Sequence, residues 1–179
     1  MKRKIPAFIL ILIGIIALGS GIFLYIRTYL NETNAEKTAE QALITMKELI
    51  PAHSASSVYE GDADKEMPVL EINGYSFVGY IEIPETDKEF PVQFQWGNPV
   101  ISKMREGNIA GGNGVIETAQ ISFSEVYEGL NISFIDINGK EYDFIVDYIG
   151  DEKDTVANAK LIIFAEGMAK TIQIACIEK

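Results

Sequence analysis

A long apolar segment near the N-terminus constrains this chain more than any other feature. Residues Ile5–Ile26 contain no charged side chain. A helix of these 22 residues, rising about 1.5 Å per residue, is long enough to cross a hydrocarbon core of roughly 30 Å. Lys2, Arg3 and Lys4 precede the segment and Arg27 follows it. Because short basic flanks stay in the cytoplasm, we predict a single membrane-spanning helix with the rest of the chain outside.

The same segment is compatible with a signal peptide or a core helix, although both fit it less well. A cleaved signal peptide has an apolar region of only about 7–15 residues, although Ala17-Leu18-Gly19 resembles a cleavage site. A buried core helix would need a large apolar shell around it, which the later sequence does not provide. A lipoprotein is excluded because no Cys directly follows the apolar run.

Composition removes several classes of function. The 179 residues carry a net charge of −11, which gives no electrostatic basis for binding nucleic acid. Cys176 is the single Cys and His53 the single His, so neither an internal disulfide nor a Cys/His zinc site can form. Asp151, Glu152 and Asp154 form an acidic run, but without EF-hand spacing a solvated loop is the better interpretation than calcium binding. We predict no cofactor and no metal.

The pattern divides the chain into three parts. Residues 1–27 form the basic tip and the membrane anchor, residues 28–66 a juxtamembrane helix and linker, and residues 67–179 a folded domain. The helix is predicted over Asn31–Ile50, with Asn31 or Thr33 as its cap and Pro51 as its end. Its thin, Ala-rich apolar face favours docking on the domain or a simple stalk over pairing with a partner helix. His53 follows in a polar linker, where a solvated side chain is the expected state.

From Met67 the apolar pattern changes to the alternation of β-strands. Asn138-Gly139 separates two of the predicted strands, and this pair is preferred in the tight type I′ hairpin turn. Val100–Glu106 is expected to form one or two helical turns. Seven or eight short strands predict a mostly antiparallel barrel or sandwich. The clearest strands are Tyr75–Ile83, Phe90–Phe94, Asn108–Ala110, Asn131–Ile137, Lys140–Ile149, Leu161–Phe164 and Thr171–Ile177.

Several of these segments occur together in one known family. Met67–Pro84 ends in Val78-Gly79-Tyr80-Ile81-Glu82-Ile83-Pro84, and Phe90-Pro91-Val92 follows. Sortases, the membrane-anchored cysteine transpeptidases of Gram-positive bacteria, open their domain with a similar "I-G-x-L-x-I-P" strand and a short "x-P-V" strand. Asn108–Gly111 and the Asp136–Tyr142 hairpin also resemble the family. The resemblance runs from Met67 to Cys176 and implies a closed β-barrel of seven to eight strands in an exported domain.

The resemblance also implies where catalytic residues should lie. Sortases use a Cys thiolate as nucleophile, a His that protonates the leaving amine and an Arg that steadies the oxyanion. Matching the motifs places Glu166 at the Cys position, Gly112 at the His position and Thr171 at the Arg position. Lys170 offers a point charge without the planar fork of Arg. We therefore predict no catalytic residues, and name Gly112, Glu166, Lys170 and Thr171 as candidates for a peptide groove.

The remaining thiol is a poor substitute for the missing nucleophile. Cys176 is predicted to share a strand face with Ile172 and Ile174, where a Cys behaves as a small hydrophobe. His53 would have to reach into the barrel from the linker to act with it.

Three functions remain open at this point. The first is a catalytically inactive pseudo-sortase at the outer membrane face, which acts as a binding or scaffolding module. Its partners would be a sorting-signal peptide, a surface or pilus protein, or an active sortase. The second is a transpeptidase or hydrolase of altered mechanism that uses Glu166 or Cys176. The third is a structural membrane protein that self-associates through its stalk helix.

Overall fold

Ten strands and one long helix make up the described part of the chain. The computed structural model describes residues 7–51, 54–55, 66–94, 102–151, 158–166 and 171–179, with the backbone alone at 7–15, 24–35, 54–55, 123 and 166. The helix is α1 (Ala7–Leu49). The strands are β1 (Ser54–Ala55), β2 (Leu70–Ile72), β3 (Tyr75–Ile83), β4 (Lys88–Gln93), β5 (Ser102–Glu106), β6 (Gly114–Thr118), β7 (Asn131–Asp136), β8 (Lys140–Asp151), β9 (Leu161–Glu166) and β10 (Thr171–Glu178).

Eight of the strands close into a barrel. The hydrogen-bonded order β8-β10-β9-β6-β5-β4-β3 is completed by β7, which pairs with both β3 and β8. The pairs β4–β5 and β6–β9 are parallel, and the other pairs of the ring are antiparallel. β1 and β2 are added outside the ring, on β8 and β3. The closed, mainly β barrel predicted from the sequence is therefore confirmed.

The barrel interior is filled by alternate residues of these strands. Phe134, Phe144, Ile116, Ile163 and Ile174 are fully buried in one continuous core. Each lies between strand neighbours that point outward, as the period of two requires. At roughly 1.5–3 kcal/mol for each fully buried large apolar side chain, this core is the main source of stability.

One continuous helix replaces the two that the sequence predicts. α1 runs through Asn31 and Thr33, so neither residue caps a helix, and Pro51 follows its end. Residues 42, 46 and 50 pack on the outer face of the barrel, as the docking interpretation expected. The apolar residues Ile16 and Phe23 are exposed. Among the described residues, no helix combines the length and the hydropathy that a membrane span requires.

Three local predictions were wrong. Ser102–Glu106 is strand β5 rather than helical turns, because it pairs along β6. Asn108–Ala110 is not a strand, since Asn108 caps a short 3-10 turn at Ile109–Gly111 through its side chain. At the β7–β8 hairpin only Gly139, with φ +78°, is left-handed, so the loop is not a type I′ turn. Asp136 O accepts a hydrogen bond from Gly139 N at 3.0 Å, which fits a three-residue loop with glycine at the left-handed position.

Candidate functional site

The end of the β9–β10 hairpin brings two of the predicted groove residues together. Glu166 and Thr171 are directly paired across the two strands. Thr171 is half-buried. β6 lies parallel to β9 on the other side, and its last residue, Thr118, pairs with Ala165. The candidate site is therefore the rim of the barrel where β6 and β9 end and β10 begins.

Gly112 lies at the opposite end of these strands. It precedes β6, whose first residue, Gly114, pairs with Leu161 at the start of β9. Leu161 and Glu166 are five residues apart, which at about 3.3 Å per residue separates Gly112 from Glu166 by roughly 16 Å or more. Gly112 is also buried and ends a 3-10 turn with φ +73°. The structure therefore does not place Gly112 in the groove that the sequence assigned to it.

Hydrogen bonds hold the segment after β6 at the rim instead. The hydroxyls of Ser102 and Thr118 lie 2.5 Å apart and are buried. Thr118 Oγ1 also accepts from Gln120 N at 3.0 Å. Lys88 Nζ donates to Gln120 O at 3.2 Å and forms an ion pair with Glu125 at 2.5 Å. Because Thr118 pairs with Ala165, residues 119 and 120 follow β6 at the same rim as Glu166. The half-buried Gln120 is a polar side chain on the β6 side of this rim.

The outer face of the same strands carries charge. Met104, Ile116 and Ile163 point into the core, so their neighbours Lys103, Glu117 and Phe164 share the outward face. Lys103 Nζ lies 3.3 Å from Glu117 Oε2, and the Lys103 side chain is only 6% exposed.

Next to this ion pair, the guanidinium of Arg105 lies over the aromatic ring of Phe164. The guanidinium carbon of the exposed Arg105 lies 4.8 Å from the centre of the Phe164 ring. Gln93, paired with Lys103, buries its Oε1 atom without a hydrogen-bond partner among the described residues. The face thus combines a guanidinium stacked on an aromatic ring with a buried ion pair.

Cys176 lies away from the rim. It pairs with Leu161, at the far end of β9, and is fully buried in the core with Ile172 and Ile174, as the shared face predicted. Burial raises the pKa of its thiol well above the usual range. Because only the thiolate is strongly nucleophilic, burial makes this thiol a poor nucleophile in the folded chain.

Four of the predicted residues lie outside the described part of the chain: His53, Glu152, Asp154 and Lys170. Asp151 ends β8 and is exposed. The described residues contain no group of three acidic, His or Cys side chains arranged to hold a metal.

Sequence patterns missed two residues of the site. Gln120 follows a strand whose end could not be located from sequence, and Arg105 lies in a segment expected to be helical. The parallel pairing of β6 with β9 shows that the segment after β6, which contains Gln120, lies at the rim. Arg105 lies in strand β5, at the β-bulge between Met104 and Glu106.

Solved structures similar to this chain are sortases. Sortase A from Corynebacterium diphtheriae is 15% identical with a TM-score of 0.45, covering 91% of this chain and 95% of that one. Sortase C from Clostridium perfringens, solved with the C-terminal cell wall sorting motif, is 13% identical with a TM-score of 0.45, covering 57% and 69%. Sortase C1 from Streptococcus agalactiae is 15% identical with a TM-score of 0.43, covering 60% and 69%.

The amino-acid sequence itself gives no such match. No family model matches the chain, and no curated protein matches it. At identities of 16% or less and TM-scores below 0.5, the structural likenesses transfer no residue role. The closed barrel described above rests on its own strand pairing.

Proposed function

We propose that this chain is a membrane-anchored, extracytoplasmic barrel of the sortase type that binds a sorting-signal-like peptide without cleaving it. The apolar segment Ile5–Ile26 and its basic flanks support the anchor. The ring of eight strands supports the barrel type. The peptide would lie at the rim formed by Gln120, Glu166 and Thr171, and the Arg105 side chain over Phe164 lies on the outer face below this rim.

The position of Cys176 carries the proposal that catalysis is lost. The chain has no second thiol, and Cys176 lies five residues along β10 from Thr171, about 16 Å away, inside the core. A carboxylate at position 166 cannot replace the sulfur as an acyl carrier, and the described rim residues Gln120 and Thr171 contain no imidazole. The arrangement therefore supports recognition and not acyl transfer.

A paired assay of cleavage and binding tests this function. The full-length chain in detergent is incubated with fluorescent peptides that carry a cell wall sorting motif, with an active sortase as positive control. We expect no cleavage, and binding that Gln120→Ala weakens while Asn138→Ala, at the opposite end of the barrel, leaves it unchanged. Cleavage that is abolished by Cys176→Ala or Glu166→Ala would contradict the proposal. Equal binding by both variants would contradict the position of the site.

A further inference from the structure

The last turns of α1 are fixed to the outside of the barrel. Ala42 and Met46 are 1% and 0% exposed. Lys47 forms an ion pair with Glu89, and its Nζ lies 5.8 Å from the centre of the Tyr80 ring. These contacts are made by side chains of several strands, so the helix cannot pivot without exposing apolar surface. The barrel residues packed under the helix are Ile72, Phe77, Tyr80 and Ile135, with Leu70 and Tyr75 at the margin.

Two contacts give the direction in which the helix runs over the barrel. Pro51 O lies against Gly139, at the β7–β8 turn, so closely that a Cβ there would be 2.6 Å from it. Four residues earlier, Lys47 reaches Glu89, near the start of β4. The β7–β8 turn and the start of β4 are at opposite ends of the barrel, because β4 runs antiparallel to β3 and parallel to β7. Followed towards its N-terminus, α1 therefore leaves the barrel past the end where β4 begins.

The candidate site lies at that same end. Lys88, the first residue of β4, donates to Gln120 O at 3.2 Å. Around the ring, β3, β6, β8 and β9 finish at this end and β4, β5, β7 and β10 start there. Thr118, Glu166 and Thr171 are thus on the rim towards which the N-terminal part of the helix extends.

The exposed apolar part of the helix lies beyond this rim. Ile16, Leu18, Ile22 and Phe23 are 60–70% exposed. Phe23 precedes Lys47 by 24 positions of one unbroken helix, which corresponds to about 36 Å. The apolar residues therefore project past the site end of the barrel and not past the Gly139 end.

We infer that docking of α1 turns the candidate site towards the apolar part of the same helix, so that the site receives polypeptide segments of partners held at the same membrane. The orientation follows from the contacts of Lys47, Pro51 and Lys88. The membrane-held partner rests additionally on the proposed function, which places the apolar segment in the bilayer. A partner approaching from the opposite side would meet the β7–β8 turn and the linker strand β1 instead of the rim.

Distance measurements between spin labels test the orientation without a membrane. In the full-length chain in detergent, a label at Phe23→Cys is paired with one at Glu85→Cys on the site end, or with one at Asn138→Cys on the far end. Because Cys176 is buried, we expect only the introduced cysteines to take the label. We expect the Phe23–Glu85 distance to be shorter by about 10–20 Å, given strands of about six residues. Equal distances, or the reverse order, overturn the inference.

A matched pair of helix variants checks that docking is the cause. Met46→Asp places a charge at a fully buried contact, and Ile44→Asp places it on the exposed side of the same helix, where residue 44 is 55% exposed. Met46→Asp should broaden both distance distributions and remove their difference, whereas Ile44→Asp should preserve it. A difference that survives Met46→Asp overturns the role of docking.

A crosslinking experiment in vesicles tests the membrane-held partner separately from the orientation of the site. Photo-crosslinkers at Glu85→Cys or Asn138→Cys are carried by the chain in vesicles that also hold a sorting-motif peptide with a lipid anchor. We expect capture of the peptide at position 85 and not at position 138. Capture at position 138 alone overturns the inferred approach. Capture at neither position, with the label distances as expected, overturns the membrane-held partner and counts against the proposed function while the orientation stands.

Discussion

At the scale of single residues, the barrel face beside the site contains an ion pair that is largely removed from water. The Lys103 side chain is 6% exposed and that of Glu117 18%. Removing two charges from water costs several kcal/mol each, which their mutual attraction offsets only while both are present. The pair is therefore a source of sensitivity to mutation more than a source of stability.

Removing one charge of this pair should cost far more than removing both. Glu117→Gln leaves the buried ammonium of Lys103 without its carboxylate, so we expect the free energy of unfolding to fall by about 3 kcal/mol. Lys103→Met/Glu117→Leu should stay within about 1 kcal/mol of the wild type, since apolar groups of similar volume replace both charges. Urea unfolding of the full chain, followed by circular dichroism, measures both values. A single variant as stable as the double variant would contradict this reasoning.

The buried thiol makes stability depend on pH in the alkaline range. The pKa of Cys176 is raised by burial in the folded chain, whereas the unfolded chain has the usual value near 9.0. Above that pH the unfolded state binds fewer protons than the folded state, so the free energy of unfolding falls by up to about 1.4 kcal/mol per pH unit. Urea titrations from pH 8 to 10 should show a steeper fall for the wild type than for Cys176→Ala. Parallel curves would rule out a buried thiol.

At the scale of elements, the bulge in β3 requires a glycine where strands meet closely. A Cβ at Gly79 would overlap the carbonyl oxygen of Ile135 and come within 2.7 Å of the Phe134 ring. Because backbone cannot yield, Gly79→Ala should cost about 3 kcal/mol, at the upper end for overpacking. Gly74→Ala, also at positive φ but with open space around it, should cost only about 1 kcal/mol. The same urea assay compares them, and equal losses would refute the close approach.

Two Asn-Gly pairs show which turns sequence could predict. Type I′ geometry needs both central residues at positive φ, and Asn73-Gly74 meets this with φ +53° and +81° between β2 and β3. Asn138-Gly139, the pair predicted to do so, forms a three-residue loop because Asp136 Oδ1 accepts from Asn138 N and Lys140 N. The Asn-Gly dipeptide correctly predicts a hairpin, but the hydrogen bonds accepted by the Asp136 side chain determine the length and type of the loop.

The ends of some strands and the face that each strand buries could be predicted where apolar residues alternate along the sequence. Tyr75–Ile83 was located to the residue, and the inward face of β10 was correct. The candidate site was predicted only in part, because it depends on which strand lies beside β9. That partner, β6, pairs in parallel with β9, although the two strands are far apart in the sequence. The local sequence pattern of a strand does not indicate which distant strand it pairs with or in which register. A motif matched along the sequence therefore selected Gly112, whereas the pairing of β6 with β9 brings the end of β6 at Thr118 to the rim near Glu166.

At the scale of the whole molecule, closure of the barrel and docking of the helix act together. The ring leaves few strand edges, and β1 and β2 extend it at the far end from the site. α1 covers the outward apolar patch around Phe77 and Tyr80 that the ring itself cannot bury. Among the described residues, the fold thus has one inner core and one smaller core under the helix. The residues of this smaller core that lie under the helix belong to β2, β3 and β7 and not to β9 or β10.

Net charge sets the response of the whole chain to salt. With a charge of −11, long-range repulsion among carboxylates acts against the compact state. The half-exposed pairs Lys47–Glu89 and Lys88–Glu125 contribute little, because solvent screens them and the long side chains lose freedom when they pair. Raising the salt concentration from about 10 to 150 mM shortens the screening length from roughly 30 to 8 Å. Relief of repulsion should therefore outweigh the weakened pairs and raise Tm by several degrees.

A charge-altered variant shows whether repulsion is the cause of that rise. Glu106 and Glu128 are exposed and form no ion pair within the described residues. Glu106→Lys/Glu128→Lys removes two negative charges and adds two positive ones, which brings the net charge from −11 to −7. Thermal scans at both salt concentrations should give a smaller rise in Tm for this variant, because less repulsion remains to be screened. If Tm instead falls with salt in the wild type, attraction within the ion pairs dominates, and the acidic composition is not what limits the stability of the barrel.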